Sequence, residues 1–126
     1  MRGGDVLFVI LDCADRAIET GLRDRLVAFL PRILAEALSV PGDKLVPEDV
    51  IIRYGSGEEW VSPRGDDFRV RIETEDRDRL DEDWGAVITL AAIQLRSHLP
   101  VGVSGSIEIP VEGELFCEAA VSTSLQ

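Results

Sequence analysis

Residues 7–16, LFVILDCADR, and residues 68–77, FRVRIETEDR, carry one pattern twice, at an offset of 61 residues. Leu7 aligns with Phe68, Val9 with Val70, Leu11 with Ile72, Asp12 with Glu73, and Asp15-Arg16 with Asp76-Arg77. After each copy comes a long helical pattern and then a second short apolar strand, Val50–Tyr54 in the first half and Ile107–Val111 in the second. Each of these strands runs into an acidic turn and an aromatic residue, Glu58-Glu59-Trp60 and Glu114-Leu115-Phe116. Self-similarity of this kind constrains architecture before any local assignment does. Here the unit is strand–helix–strand, used twice.

The first strand, about Asp5 to Asp12, is apolar on both faces, with Val6, Phe8 and Ile10 on one and Leu7, Val9 and Leu11 on the other. Such a strand is central and covered on two sides. Phe68, Val70 and Ile72 alternate with Arg69, Arg71 and Glu73, a strand with one apolar face. The first helix is expected from Asp15 to Leu38, with Ile18, Leu22, Leu26, Phe29, Ile33 and Ala37 at steps of three and four. Pro31 predicts a kink or break within it, because proline lacks an amide donor and crowds the preceding turn. The second helix is expected from Asp81, as N-cap, to Leu99, stopped by Pro100. It is apolar nearly all round, more than one sheet contact requires. Trp60 is expected on a short strand or hairpin arm, and Ser106–Val111 and Glu114–Val121 on the last strands.

These elements predict one α/β (α+β) domain over residues 1–126, with pseudo-repeats at about 5–60 and 67–121. The expected architecture is two pseudo-symmetric β-α-β units: a four-stranded sheet with both helices on one face, plus a short terminal strand. Phe68, Val70 and Ile72 face the helices, and by the offset so do Leu7, Val9 and Leu11. Val6, Phe8 and Ile10 then face away. An exposed apolar patch of that kind is unusual on a monomer, so the pattern predicts an oligomer with its bare sheet faces turned inward.

Charge and cysteine usage narrow the function classes. A net charge of -11 repels phosphate backbones and anionic lipid, so nucleic acid and membrane partners are not expected. The first apolar run, Val6 to Leu11, is too short for a secretory signal, and no run reaches the length of a membrane span. Cys13 and Cys117 have no scaffold spacing and read as reduced thiols in a cytoplasmic protein.

The segment AEALSVPGDKLVPEDVIIRYG, Ala35 to Gly55, together with the doubled strand–helix–strand order, resembles the tautomerase superfamily, and most of all its 5-carboxymethyl-2-hydroxymuconate isomerase branch. The resemblance covers nearly the whole chain. It implies a homotrimer with pockets between subunits, and a catalytic N-terminal proline whose amine stays neutral near pH 7. The chain departs from that pattern. It begins Met1-Arg2-Gly3-Gly4-Asp5, and removal of Met1 before Arg2 is not expected. The family's proline position falls near Gly4, which has neither a titratable amine nor a side chain. The basic position at the start of the helix falls near Ala14. The expectation is a tautomerase-like homotrimer without proline-based activity, acting as a small-molecule-binding or assembly module. The alternative is an isomerase for enol–keto tautomerisation of a small hydroxymuconate-like acid with an altered site.

The candidate ligand-binding residues are Gly4, Arg53, Arg71 and Trp60. Arg53, Arg69 and Arg71 are expected on strand faces opposite the helices, where guanidinium forks suit a small organic acid or acids of a neighbouring subunit. His98, Cys13 and Cys117 lack partners in sequence and read as structural. The acidic run from Glu73 to Asp83 is broken by Arg77 and Arg79 and lacks the glycine of a calcium loop, so it reads as a solvated helix entrance. Gly55-Ser56-Gly57 reads as a turn. No metal and no cofactor are expected.

Overall fold

Alternating burial along the first repeat copy fixes how its strand lies. β1 (Leu7–Cys13) buries Leu7, Val9 and Leu11 completely, while Phe8 and Ile10 remain half-covered. In the second copy, β3 (Phe68–Glu73) buries Phe68, Val70 and Ile72 in the same way. The computed structural model describes residues 6–39, 44–55, 60–73, 84–111 and 114–123. Between these strands lie α1 (Asp15–Glu19), α2 (Leu22–Leu38), a 3₁₀ turn at Pro47–Asp49 and β2 (Val50–Tyr54). After β3 come α3 (Trp84–Arg96), β4 (Ser104–Val111) and β5 (Glu114–Ser122).

The strands form one mixed sheet of five in the order β2-β1-β3-β4-β5. β2 runs parallel to β1, with Leu7 opposite Val50 and Leu11 opposite Tyr54. β4 runs parallel to β3, with Phe68 opposite Gly105 and Val70 opposite Ile107. Parallel neighbours need a long crossover, which the helices supply. The two first strands meet antiparallel at the centre, Val9 opposite Ile72 and Asp12 opposite Arg69. The sheet is therefore five-stranded and not four-stranded with a short appendage. β5 is nine residues long and pairs along its length with β4. A register shift at Ile109/Pro110 accommodates the proline, which cannot donate to the ladder.

The first helix breaks ten residues before the expected place. Gly21 has φ +81°, a left-handed conformation that ends α1 and starts α2. Pro31 sits inside α2, which continues through it. Leu30, Ile33 and Leu34 on either side are buried in the core, and that packing outweighs the roughly 3 kcal/mol that an internal proline costs. The buried stripe is Leu22, Leu26, Leu30, Ile33, Leu34 and Leu38, whereas Ile18 of α1 is exposed. α3 ends at Arg96, three residues short of Leu99, and Asp81, the expected N-cap, lies outside the described residues. α3 buries Trp84, Ile88, Ala91, Ala92 and Leu95, and leaves Leu90 and Ile93 half or more exposed.

One continuous core joins Leu7, Val9 and Leu11, Phe68, Val70 and Ile72, Ile107 and Ile109, and Ala119 and Val121 to the buried faces of α2 and α3. Both long helices thus cover one face of the sheet. The strand register puts Val6, Phe8, Ile10 and Asp12, Ile51 and Arg53, Arg69, Arg71 and Glu73, Ser106 and Glu108, and Glu118 and Ala120 on the other. Among the described residues no helix covers that face; Trp60 and Arg64 of the β2–β3 connection reach Arg69 and Glu118 on it.

Candidate functional site

Strand alternation places Asp12 on the open face at the end of β1, directly opposite Arg69 of antiparallel β3. Arg69 donates to Asp12 Oδ2 twice, from Nε at 3.0 Å and from Nη2 at 2.7 Å. Arg71 Nη2 approaches the same oxygen at 3.5 Å. Asp12 is buried, and a buried carboxylate is tolerated only when it is paired in this way. Gly55 makes the room: a Cβ there would stand 1.9 Å from Asp12 Oδ1. The glycine of the Gly55-Ser56-Gly57 turn is thus a close-approach position, while Ser56 and Gly57 lie outside the described residues.

Around this pair the arginines divide their work. The guanidinium of Arg69 lies 5.5 Å from the Trp60 ring centroid, within cation–π range. Trp60 belongs to no strand; it lies in the connection between β2 and β3, held against the sheet by Arg69. Arg53 lies over the Phe8 ring at 4.8 Å. Across the sheet, Arg53, Ile10, Arg71, Glu108 and Glu118 form one row, one residue from each strand. Of the expected ligand-binding residues, Arg71 and Trp60 therefore gather around Asp12 and Arg69. Arg53 shares their face one strand further out, and Gly4 lies outside the described residues.

The sequence pattern did not single out the other half of this row. Glu108 and Glu118 are direct cross-strand neighbours. Like charges opposite each other are unfavourable, and Glu108, pushed mainly by burial, holds its proton to higher pH than an ordinary glutamate. Burial is the largest cause, Arg69 and Arg71 oppose it, and the adjacent Glu118 adds to it both by charge and by hydrogen bonding. Arg64, from the loop before β3, donates to Glu118 Oε1 at 3.3 Å. Ser106, next to Arg69 on β4, is fully buried, and its Oγ has no hydrogen-bond partner among the described residues; neither has the Nε of Arg71.

His98 and Cys13 occupy packed positions away from this row. His98 follows the end of α3 and stacks on Phe29 of α2, with ring centroids 4.3 Å apart and planes 14° from parallel. Its carbonyl accepts from Arg25 Nη1 at 3.2 Å, so the residue ties the two helices together. Cys13 is buried, and burial pushes its thiol up from 9.0 to about 11; Arg23 opposes the shift and Asp12 reinforces it. Only about one thiol in a thousand is then ionised at pH 8, and the thiolate is the reactive form. In a Cys117→Ser background, alkylation of the native chain by iodoacetamide should be at least ~100-fold slower at pH 8 than in denaturant, and should climb about tenfold per pH unit toward pH 11. A native rate that levels off below pH 9 would contradict this burial. The side chain of Cys117 and most of the acidic run from Glu73 to Asp83 lie outside the described residues.

Among the described residues no three His, Cys, Asp or Glu side chains are placed to hold a metal, and no helix is long and apolar enough to cross a membrane. No family model, characterised protein or solved structure matches this chain. The reading of the site therefore rests on its own geometry.

Proposed function

We propose that this chain is a tautomerase-like module that assembles as a homotrimer through its open sheet face and lacks proline-type tautomerase activity. The observation that carries the reading is that face itself. It presents Phe8 and Ile10 half-covered and Val6 and Ile51 about 40% exposed, interleaved with paired arginines and carboxylates. Apolar and charged groups mixed in this way suit a subunit interface better than a solvated surface. The strand directions support the resemblance. Each β-α-β unit has its own parallel pair, and the two first strands meet antiparallel, as a pseudo-twofold axis between the units would require. The exposed Leu90 and Ile93 of α3 add a second apolar surface. Light scattering at micromolar concentration should give about three times the chain mass, since closed cyclic assembly is the common way to bury such faces. A clean monomer would remove this reading.

The second reading is an isomerase for a small hydroxymuconate-like acid. What favours it is the buried Ser106 Oγ and Arg71 Nε without partners, because such groups in a folded protein call for an explanation. In that reading Arg71, with Trp60 and Arg53 nearby, would hold a carboxylate. The position equivalent to the family's proline falls at Gly4, which supplies no base, and general acid–base catalysis needs a positioned group with a pKa near the working pH. Phenylpyruvate and a 2-hydroxymuconate analogue should therefore ketonise at close to the uncatalysed rate. Robust turnover that disappears when residues 1–3 are removed would put the isomerase first.

A further inference from the structure

The open face is not uniformly charged; its charge is graded from one edge of the sheet to the other. In the row Arg53, Ile10, Arg71, Glu108, Glu118, the cations lie toward β2 and the anions toward β5. β2 and β5 are the two outer strands. Arg71 and Arg69 are engaged by Asp12 of their own chain, and Arg53 has no carboxylate partner among the described residues. At the opposite edge, Glu118 and Glu108 face each other, Glu118 paired with Arg64 and Glu108 within the influence of Arg69 and Arg71.

We infer that the β2 edge of one copy seats against the β5 edge of the next, with Arg53 of one chain paired to the Glu118 and Glu108 carboxylates of its neighbour. This rests on the homotrimer reading and supplies its missing geometry. The contact joins different surfaces of the two copies, so it is heterologous, and such contacts close into rings when the rotation allows. Two features on the helix side of the same edges fit it. β2 presents Tyr54, 53% exposed, beside the half-buried Ile52. Along β5 runs a cleft of about 270 Å³, lined by Thr89, Ala92, Ile93 and Arg96 of α3 and by the strand from Glu118 to Ser122. Ile93 gives the cleft an apolar wall that the Tyr54 ring can cover. Outer strands that are not blocked tend to find a partner strand, and here the charges specify which edge meets which. Like-edge contacts, β2 to β2 or β5 to β5, would bring Arg53 toward Arg53 or Glu118 toward Glu118, which like-charge repulsion disfavours.

The test is charge reversal followed by restoration, read by sedimentation velocity from 1 to 100 µM in low salt, with circular dichroism to confirm folding. Arg53→Glu alone and Glu118→Arg alone should each weaken self-association by at least about tenfold. The chain carrying both should recover it, because each ring contact then again pairs opposite charges. Salt should weaken the wild-type assembly, since these carboxylates and Arg53 are partly solvated. If the wild type assembles and either folded single variant assembles equally well, or the double variant does not recover, the proposed pairing is wrong while the homotrimer reading stands. If the wild type is a monomer throughout, both fall together.

Discussion

Val9→Asp should abolish folding. Val9 is fully buried at the middle of β1, with Ile52 beside it on β2 and Ile72 on β3, and its side chain enters the core under the helices. Its neighbours in the sheet, Ile52 and Ile72, offer no side-chain donor, and the cluster around it is apolar apart from the Cys13 thiol and the Trp84 indole. An unpaired carboxylate in such a place costs several kcal/mol. The total stability of a domain of this size is about 5–15 kcal/mol, so most or all of it is spent. The expected result is loss of the soluble folded fraction, seen as missing near-ultraviolet ellipticity and no cooperative thermal transition. Val9→Ala should retain the fold with a reduced melting temperature, since it only removes two methyl groups' worth of packing. A Val9→Asp chain that melts like the wild type would show that this face of β1 is not core.

Gly105→Ala should be a costly single-methyl addition. Gly105 sits directly opposite Phe68 in the parallel β3–β4 pair, and the Phe68 ring lies flat over it. A Cβ at 105 would stand 2.4–2.5 Å from three ring carbons. The ring is fully buried and cannot swing aside without displacing the helices. Overpacking of this sort costs about 1–3 kcal/mol and at times more. For a domain of this length that lowers the melting temperature by several degrees. Denaturant melts should show a lower midpoint with an unchanged slope. Phe68→Leu in the same chain should return part of the loss, because the smaller side chain gives the new methyl space. Equal stability of Gly105→Ala and wild type would mean that the ring is not held there.

Much of the fold is legible in the residues, for a local reason. Val9, Leu11, Val70 and Ile72 alternate with residues of different character, and a period of two leaves a strand only two ways to face. The offset of 61 residues then carries the assignment from one half to the other, and the buried sets of β1 and β3 agree with it. The arginines of β3 follow from the same alternation. The break in the first helix was not legible in that way. Pro31 carries the stronger local signal, yet Gly21 makes the break, because the packing of Leu30, Ile33 and Leu34 holds the helix through the proline. β5 looked like an appendage because its pairing partner is set by β4, and the terminal strand's own pattern does not announce it.

The candidate site divides along the same line. Arg53, Arg69 and Arg71 are visible as a class in the chain, since charged residues at alternate strand positions must share a face. What each one touches is not. Asp12 reads in sequence as a bracket at the end of an apolar run, and it becomes the hub of the face only when antiparallel pairing sets it opposite Arg69 and Gly55 leaves room for its carboxylate. Glu108 and Glu118 are ten residues apart, and only the β4–β5 register makes them neighbours. The sequence by itself determined the strand faces and the helical crossovers, because these depend on periodicity along the chain. The tertiary structure alone decided strand order, which acids meet which bases, and where charge accumulates across the sheet. Those depend on contacts between residues far apart in sequence, whose energies no local pattern records.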